Sequence, residues 1–231
     1  MTVTGHAAAA TILADLRSAA NPARAVSERA YLKSDRDFLG VSVPVTRRIV
    51  RAQFRSGAID GRSATKAAVA SLWAGPFFEC RRAAVEVLAA AVGELGPDDL
   101  TVVEAYVRDG ETWAIVDPLA IEVAGRIVAR GVDVDLGTTM DRWSTDPDSF
   151  WVRRMSLLAL LPSLRAGGEE WPRFVRYADA MLAEREFFIR KAIGWVAREV
   201  STRRPEEVKA WAEPRWDRMS GVTRREVERH L

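Results

Sequence analysis

The chain is poor in the residues on which much enzyme chemistry depends. Its 231 residues include one cysteine, Cys80, and two histidines, His6 and His230, at opposite ends. A single thiol excludes an intramolecular disulfide framework and argues against a zinc cluster. Two histidines so far apart argue against a Ser-His-Asp triad or a His-rich metal site. Any catalysis then falls to carboxylates, arginine, lysine or aromatic rings, and neither a metal nor another cofactor is expected. No apolar run approaches the ~20 residues that span a bilayer, so no membrane partner is expected. The Ala-rich start, MTVTGHAAAATILADL, has no basic stretch before it and is interrupted by Asp15 and Arg17. It reads as a first helix rather than a signal peptide, and the chain is expected in the cytoplasm, where a lone thiol stays reduced.

Lysine is also scarce. Of 34 basic residues only 4 are Lys, leaving 30 Arg, and 32 acidic residues bring the formal net charge to +2. That balance alone does not predict DNA binding, although guanidinium forks suit phosphate. Hydrophobic residues at 48% and charged residues at 29% fit a globular core rather than a disordered tail or a membrane protein. The length suits a single domain spanning 1–231.

Helix punctuation, by contrast, is dense. Asn21-Pro22, Ser42 to Pro44, Gly75-Pro76, Gly96-Pro97, Gly110, Asp146-Pro147, Gly167-Gly168 and Arg204-Pro205 mark out short segments. Inside them apolar residues recur at three- and four-residue steps, as at Val85, Leu88, Ala89 and Val92, and sustained alternation is missing. An all-α chain of about a dozen helices is expected, with essentially no sheet.

Four segments open on an aromatic: FFECRRAAVEVL with Phe78, TWAIVDPLAIEV with Trp113, FWVRRMSLLALL with Trp151 and FFIRKAIGWVAREV with Phe188. The steps between these aromatics are 35, 38 and 37 residues, the length of a two-helix HEAT-like repeat. Stacked helix pairs of this kind form a superhelical solenoid with a concave face, expected here to be right-handed. Counting from each aromatic, position +3 holds Arg81, Val116, Arg154 and Lys191; +4 holds Arg82, Asp117, Met155 and Ala192; +7 holds Val85, Ala120, Leu158 and Trp195. These positions share one helix face. Lone charges are costly to bury, so part of that face is expected to line an open cleft, where Trp113, Asp117, Arg154 and Trp195 converge.

Each of these residues also has a plainer reading. Asp117 precedes Pro118 and would suit a helix N-cap with proline at the first helical position. Tryptophans on helices usually pack in cores, and Trp73, Trp143, Trp171, Trp211 and Trp216 are read that way, with Trp151 ambiguous. Arg154 could be a surface arginine paired with an acid, and Tyr31 could be packing between the first repeats.

The constellation resembles the AlkD family of DNA alkylation-repair glycosylases. The resemblance covers nearly the whole chain and is carried by EFFIRKAIGWVARE (186–199), YLK..RDFLGVSVP.TRR (31–48), LW..P..E....A.EVL (72–88), TW..VD (112–117) and DSFWVRR (148–154). It implies Asp117, Trp113 and Trp195 as the catalytic set. It implies Arg154 and Tyr31 as DNA contacts. Apart from the resemblance, Arg47, Arg48, Arg81, Arg82, Arg153, Arg190 and Lys191 are plausible backbone contacts taken as a group. Thr112 stands where some relatives carry a second tryptophan, and Arg153 adds a charge where an uncharged polar residue is expected. These departures bear on lesion preference more than on activity.

The resemblance implies a monofunctional glycosylase that hydrolyses the N-glycosidic bond of N7-alkylguanine or N3-alkyladenine and leaves an abasic site. No enclosed base pocket is expected, since many glycosylases flip the base but a solenoid offers a broad groove. Strand cleavage is not expected, because no lysine but Lys191 comes near a site position. The partner implied is double-stranded DNA with alkylated bases, met at the nucleoid by a monomer. The alternative is a non-catalytic helical-repeat scaffold that holds DNA or a protein in the same groove. A third reading, a metal-dependent hydrolase, is weakened by the missing histidines.

Overall fold

The computed structural model describes residues 2–131 and 133–230. Among them there is no β-strand, and β pairing is confined to an isolated bridge between Asp37 and Phe77. The helices are α1 Thr2–Ser18, α2 Pro22–Leu32, α3 Val43–Arg55, α4 Gly61–Trp73, α5 Phe78–Ala90, α6 Leu100–Arg108, α7 Trp113–Pro118, α8 Gly125–Val128, α9 Val134–Ser144, α10 Phe150–Leu158, α11 Leu161–Arg165, α12 Trp171–Met181, α13 Phe187–Ser201, α14 Pro205–Ala212 and α15 Gly221–Val227. The expected all-α class is the one the chain adopts. Starts fall where the punctuation placed them. The Asn21 side chain caps α2 by accepting from Arg24 N, with Pro22 following, and Ser149 caps α10 by accepting from Val152 N. Such caps satisfy N–H groups that the first helical turn leaves without partners.

The chain forms two compact units, Met1–Asp98 and Asp99–Leu231. In the first, α1 packs on α4, and α5 on both α3 and α4, around Ile12, Leu16, Val50, Leu72 and Val87. Glu79, only 1% exposed, reaches from α5 and accepts the backbone N–H groups of Leu39, Gly40 and Val41 at 2.9, 2.6 and 3.1 Å. Gly40 makes that loop possible. Its φ is +76°, and a Cβ there would lie 2.1 Å from the Asn21 carbonyl oxygen. Phe38 stacks on Phe78 at 4.6 Å beside the same loop. The RDFLGV and PFFE stretches thus have an architectural job.

In the second unit α10 is the central strut, packed against α6, α7, α9, α12 and α13. Trp143 is fully buried in this unit, and Trp171 and Trp211 are buried against Phe174. Trp73 is buried in the first unit, while Trp216 is half-buried under Arg224.

The repeat is written in the ion pairs as well as in the helices. Arg47 bonds Glu86 across 39 residues, Arg142 bonds Glu104 across 38, Arg108 bonds Asp146 across 38, and Arg215 bonds Asp179 across 36. Each spans about one repeat: the first two join α3 to α5 and α6 to α9, the third joins α6 to the loop before α10, and the fourth joins the turn after α14 to α12. The charges at +3 and +4 are accommodated by the same device. Arg81 is 5% exposed with its guanidinium 4.8 Å from the Trp73 ring, and Arg154 and Asp117 are both buried. Pairing and stacking let Arg81, Asp117 and Arg154 sit on a packed face.

Candidate active site

Helix α7 begins at Trp113 because Thr112, extended and 7% exposed, accepts the Ala114 N–H on its hydroxyl. Asp117 follows one turn later, so Trp113 and Asp117 share a face. The N-cap reading of Asp117 does not hold: Thr112 is the cap, and Pro118 lies inside the helix. A proline there lacks an N–H and crowds the preceding turn. The helix continues past it through a π-helical turn, Leu119–Ala124, before α8 resumes. Such turns absorb a local break in the hydrogen-bond ladder.

Asp117 meets Arg154 of α10 side-on. Arg154 Nε donates to Asp117 Oδ1 at 2.7 Å and Nη2 to Oδ2 at 2.8 Å. The side chains are 3% and 13% exposed for Arg154 and Asp117. Arg154 Nη1 donates to the Phe188 carbonyl oxygen at the start of α13, and its guanidinium carbon lies 5.8 Å from the Phe188 ring centroid. One arginine therefore ties together α7, α10 and α13. Taking two charges out of water costs several kcal/mol per ion, and a buried pair rarely repays it in stability. What the pair does provide is a fixed carboxylate. Two of the roughly four acceptor positions of a carboxylate are occupied by Arg154, leaving the others for a further donor.

An aromatic patch adjoins this pair. The Trp151 and Phe188 rings lie 4.8 Å apart, Phe150 and Trp151 4.4 Å, and Phe187 meets Phe188 edge-on at 5.4 Å. Phe187 is 53% exposed. Trp113 and Trp195 are both half-buried. Trp195 lies seven residues after Phe188 on the same face of α13, and its indole Nε1 donates to Glu199 Oε1 at 3.1 Å.

The basic residues expected on the DNA backbone are placed less uniformly. Arg153 forms a double hydrogen bond with Glu184, both contacts at 2.9 Å, and donates to the Asp146 carbonyl. Arg190 donates to the Glu184 carbonyl oxygen. Lys191 pairs with Glu226, which Arg198 and Arg229 also approach. In the first unit Arg47 pairs with Glu86, Arg48 is exposed, and Tyr31 is 73% exposed on α2, a helix with no buried residue. The second unit thus unites Trp113, Asp117 and Arg154 through α7 and α10 and sets Trp195 on adjoining α13. Glu184, Glu226 and Glu199 were not singled out from sequence, and Phe188 was marked only as a repeat-opening aromatic. Glu199 had a visible signal, lying four residues after Trp195 inside the same motif.

Among the described residues no group of three or more His, Cys, Asp and Glu side chains could hold a metal ion. No helix there is long and apolar enough to cross a membrane.

Helical repeats joined by one-repeat ion pairs, with a buried carboxylate–guanidinium clamp beside an aromatic patch, define the class of protein. The family model described as DNA alkylation repair enzyme matches residues 12–231, and the chain belongs to that family. The fold is shared with a protein from Enterococcus faecalis described as a predicted DNA alkylation repair enzyme. The TM-score is 0.78 at 21% identity, over 92% of this chain and 96% of that one. AlkD2 from Streptococcus mutans is similar in fold at a TM-score of 0.62 and 13% identity, over 82% of this chain and 90% of that one. No curated protein matches the sequence.

Proposed function

We propose that this chain is a DNA glycosylase that hydrolyses the N-glycosidic bond of cationic alkylated purines in duplex DNA. The reading rests on one observation above others: Asp117, held side-on by Arg154 on the helix that also carries Trp113. N7-alkylguanine and N3-alkyladenine carry a positive charge on the base, so the base departs as a neutral leaving group without a general acid. This suits a site without histidine. As the C1′–N9 bond breaks, positive charge builds on the sugar. A fixed carboxylate stabilises it and orients a water, whose oxygen bonds to C1′ while its proton passes to Asp117 or solvent. The π faces of Trp113 and Trp195 add attraction for the same cation.

Arg154 takes a different part from the phosphate contact expected of it. Its Nε, Nη1 and Nη2 all donate within the protein, so gripping a phosphate would compete with holding Asp117. In this reading Arg154 positions the carboxylate, and backbone contacts fall to exposed cations such as Arg48.

The test is release of methylpurines from methylated duplex DNA. The chain releases N7-methylguanine and leaves the strand intact; uracil, a neutral base, is a poor substrate. Asp117→Asn lowers the rate about a hundred- to thousand-fold, as loss of one preorganised charge does. Absence of release by the unaltered chain favours the scaffold reading, and near-normal release by Asp117→Asn removes Asp117 from the mechanism.

A further inference from the structure

Trp195 is not left to choose its own orientation. Its indole N–H donates to Glu199 Oε1 at 3.1 Å, one turn along α13. The other oxygen of that carboxylate, Oε2, accepts Arg165 Nε at 2.9 Å from α11, a helix packed against α13. Arg198 adds a second cation 3.8 Å from Oε1. Glu199 is therefore pinned from both sides, and the ring it holds is half-buried. We infer that Glu199, braced by Arg165, is a positioning residue for Trp195: it fixes the plane of the indole and makes its π face more electron-rich.

Two physical consequences follow. An indole has two soft torsions. A hydrogen bond to an anchored carboxylate selects one setting of both before any ligand arrives, and preorganisation of this kind lowers the cost of binding. The second consequence is electronic. A carboxylate accepting the Nε1–H pushes electron density into the ring, since linked hydrogen bonds polarise one another. A richer π face attracts a cation more strongly. The carboxylate also stays charged over a wide pH range. Burial opposes its ionisation, but hydrogen bonds from Arg165 and Trp195 and the nearby guanidinium charges hold it below the usual range. Nothing in this chain of contacts requires Glu199 to touch the DNA. The inference deepens the glycosylase reading and rests on it for its effect on rate.

The test pairs a spectroscopic readout with a kinetic cycle. In a nitrogen-15 NMR spectrum, the indole N–H resonance that disappears in Trp195→Phe belongs to Trp195. That resonance moves upfield in Glu199→Gln and, by less, in Arg165→Gln. Single-turnover release of N7-methylguanine falls about two- to tenfold in Glu199→Gln, the scale of one weakened cation–π contact, while affinity for undamaged duplex is unchanged. In the Trp195→Phe background, which has no N–H to hold, Glu199→Gln has no further effect on the rate. An unmoved resonance overturns the positioning role. Equal slowing in both backgrounds also overturns it, because Glu199 would then act directly on the substrate. If the unaltered chain releases no methylpurine, the glycosylase reading fails, and the resonance alone decides whether Glu199 holds Trp195.

Discussion

At the scale of single residues the molecule turns on one buried pair. Arg154→Ala leaves the Asp117 carboxylate buried without its partner, and breaking such a pair costs about 3–5 kcal/mol. Urea titration followed by circular dichroism should show the loss as a lower midpoint. A surface arginine whose only partner is phosphate would leave the midpoint unchanged. Asp117→Asn carries a related cost, because the Arg154 charge stays buried. The double variant Asp117→Asn/Arg154→Gln removes both charges at similar volume. It should recover much of the lost stability while N7-methylguanine release stays about a hundred- to thousand-fold down. Recovery of release along with stability would mean that the pair matters only to the fold.

At the scale of elements, caps and inter-helix pairs set where the site residues stand. Thr112 starts α7 one residue before Trp113. Thr112→Ala should cost about 0.5–2 kcal/mol, the range for loss of an N-cap, and Thr112→Ser should restore most of it. Thermal melts of the three proteins decide this; equal melting for Ala and Ser would show that the hydroxyl contributes nothing. Between α6 and α9, Glu104 accepts from Arg108, Arg142 and the Trp143 indole. Burial opposes its ionisation, but those hydrogen bonds win and bring its pKa from 4.5 to about 2. A depressed folded-state pKa means the unfolded chain takes up the proton first. The contribution of Glu104 is then complete above about pH 4.5 and lost as pH falls toward 2. Glu104→Gln should be less stable than the unaltered chain at pH 7, with the gap closing between pH 4.5 and 2. A constant gap across that window would show that the charge of Glu104 is not what its partners hold.

At the scale of the whole molecule the balance of charge is the issue. A net charge of +2 is modest for a protein that grips DNA, and many of its arginines are already committed to acids in the chain. Binding to undamaged duplex should therefore be weak and independent of sequence. It should fall steeply between ~50 and ~200 mM salt, because phosphate contacts release counterions. Fluorescence anisotropy at several salt concentrations measures the slope. Affinity that does not respond to salt would contradict a backbone-contact mode.

What the sequence determined alone is local and periodic. Proline, glycine and capping residues placed the helix ends, the three- and four-residue spacing made them helices, and aromatics 35 to 38 residues apart marked the repeat. Trp113 and Asp117 could be placed on one face because a single helix connects them, and the same is true of Phe188 and Trp195. Partnership across repeats was not legible, since it depends on how helices stack and not on what any one helix contains. Only the tertiary structure decided that Arg154, 37 residues from Asp117, spends its guanidinium on that carboxylate. It likewise decided that Arg153 answers to Glu184, Lys191 to Glu226, and Glu199 to Arg165. The physical reason is the cost of burying charge. A sequence shows that a packed face carries charges, but the stacking of neighbouring helices supplies the opposite charges that make burial affordable.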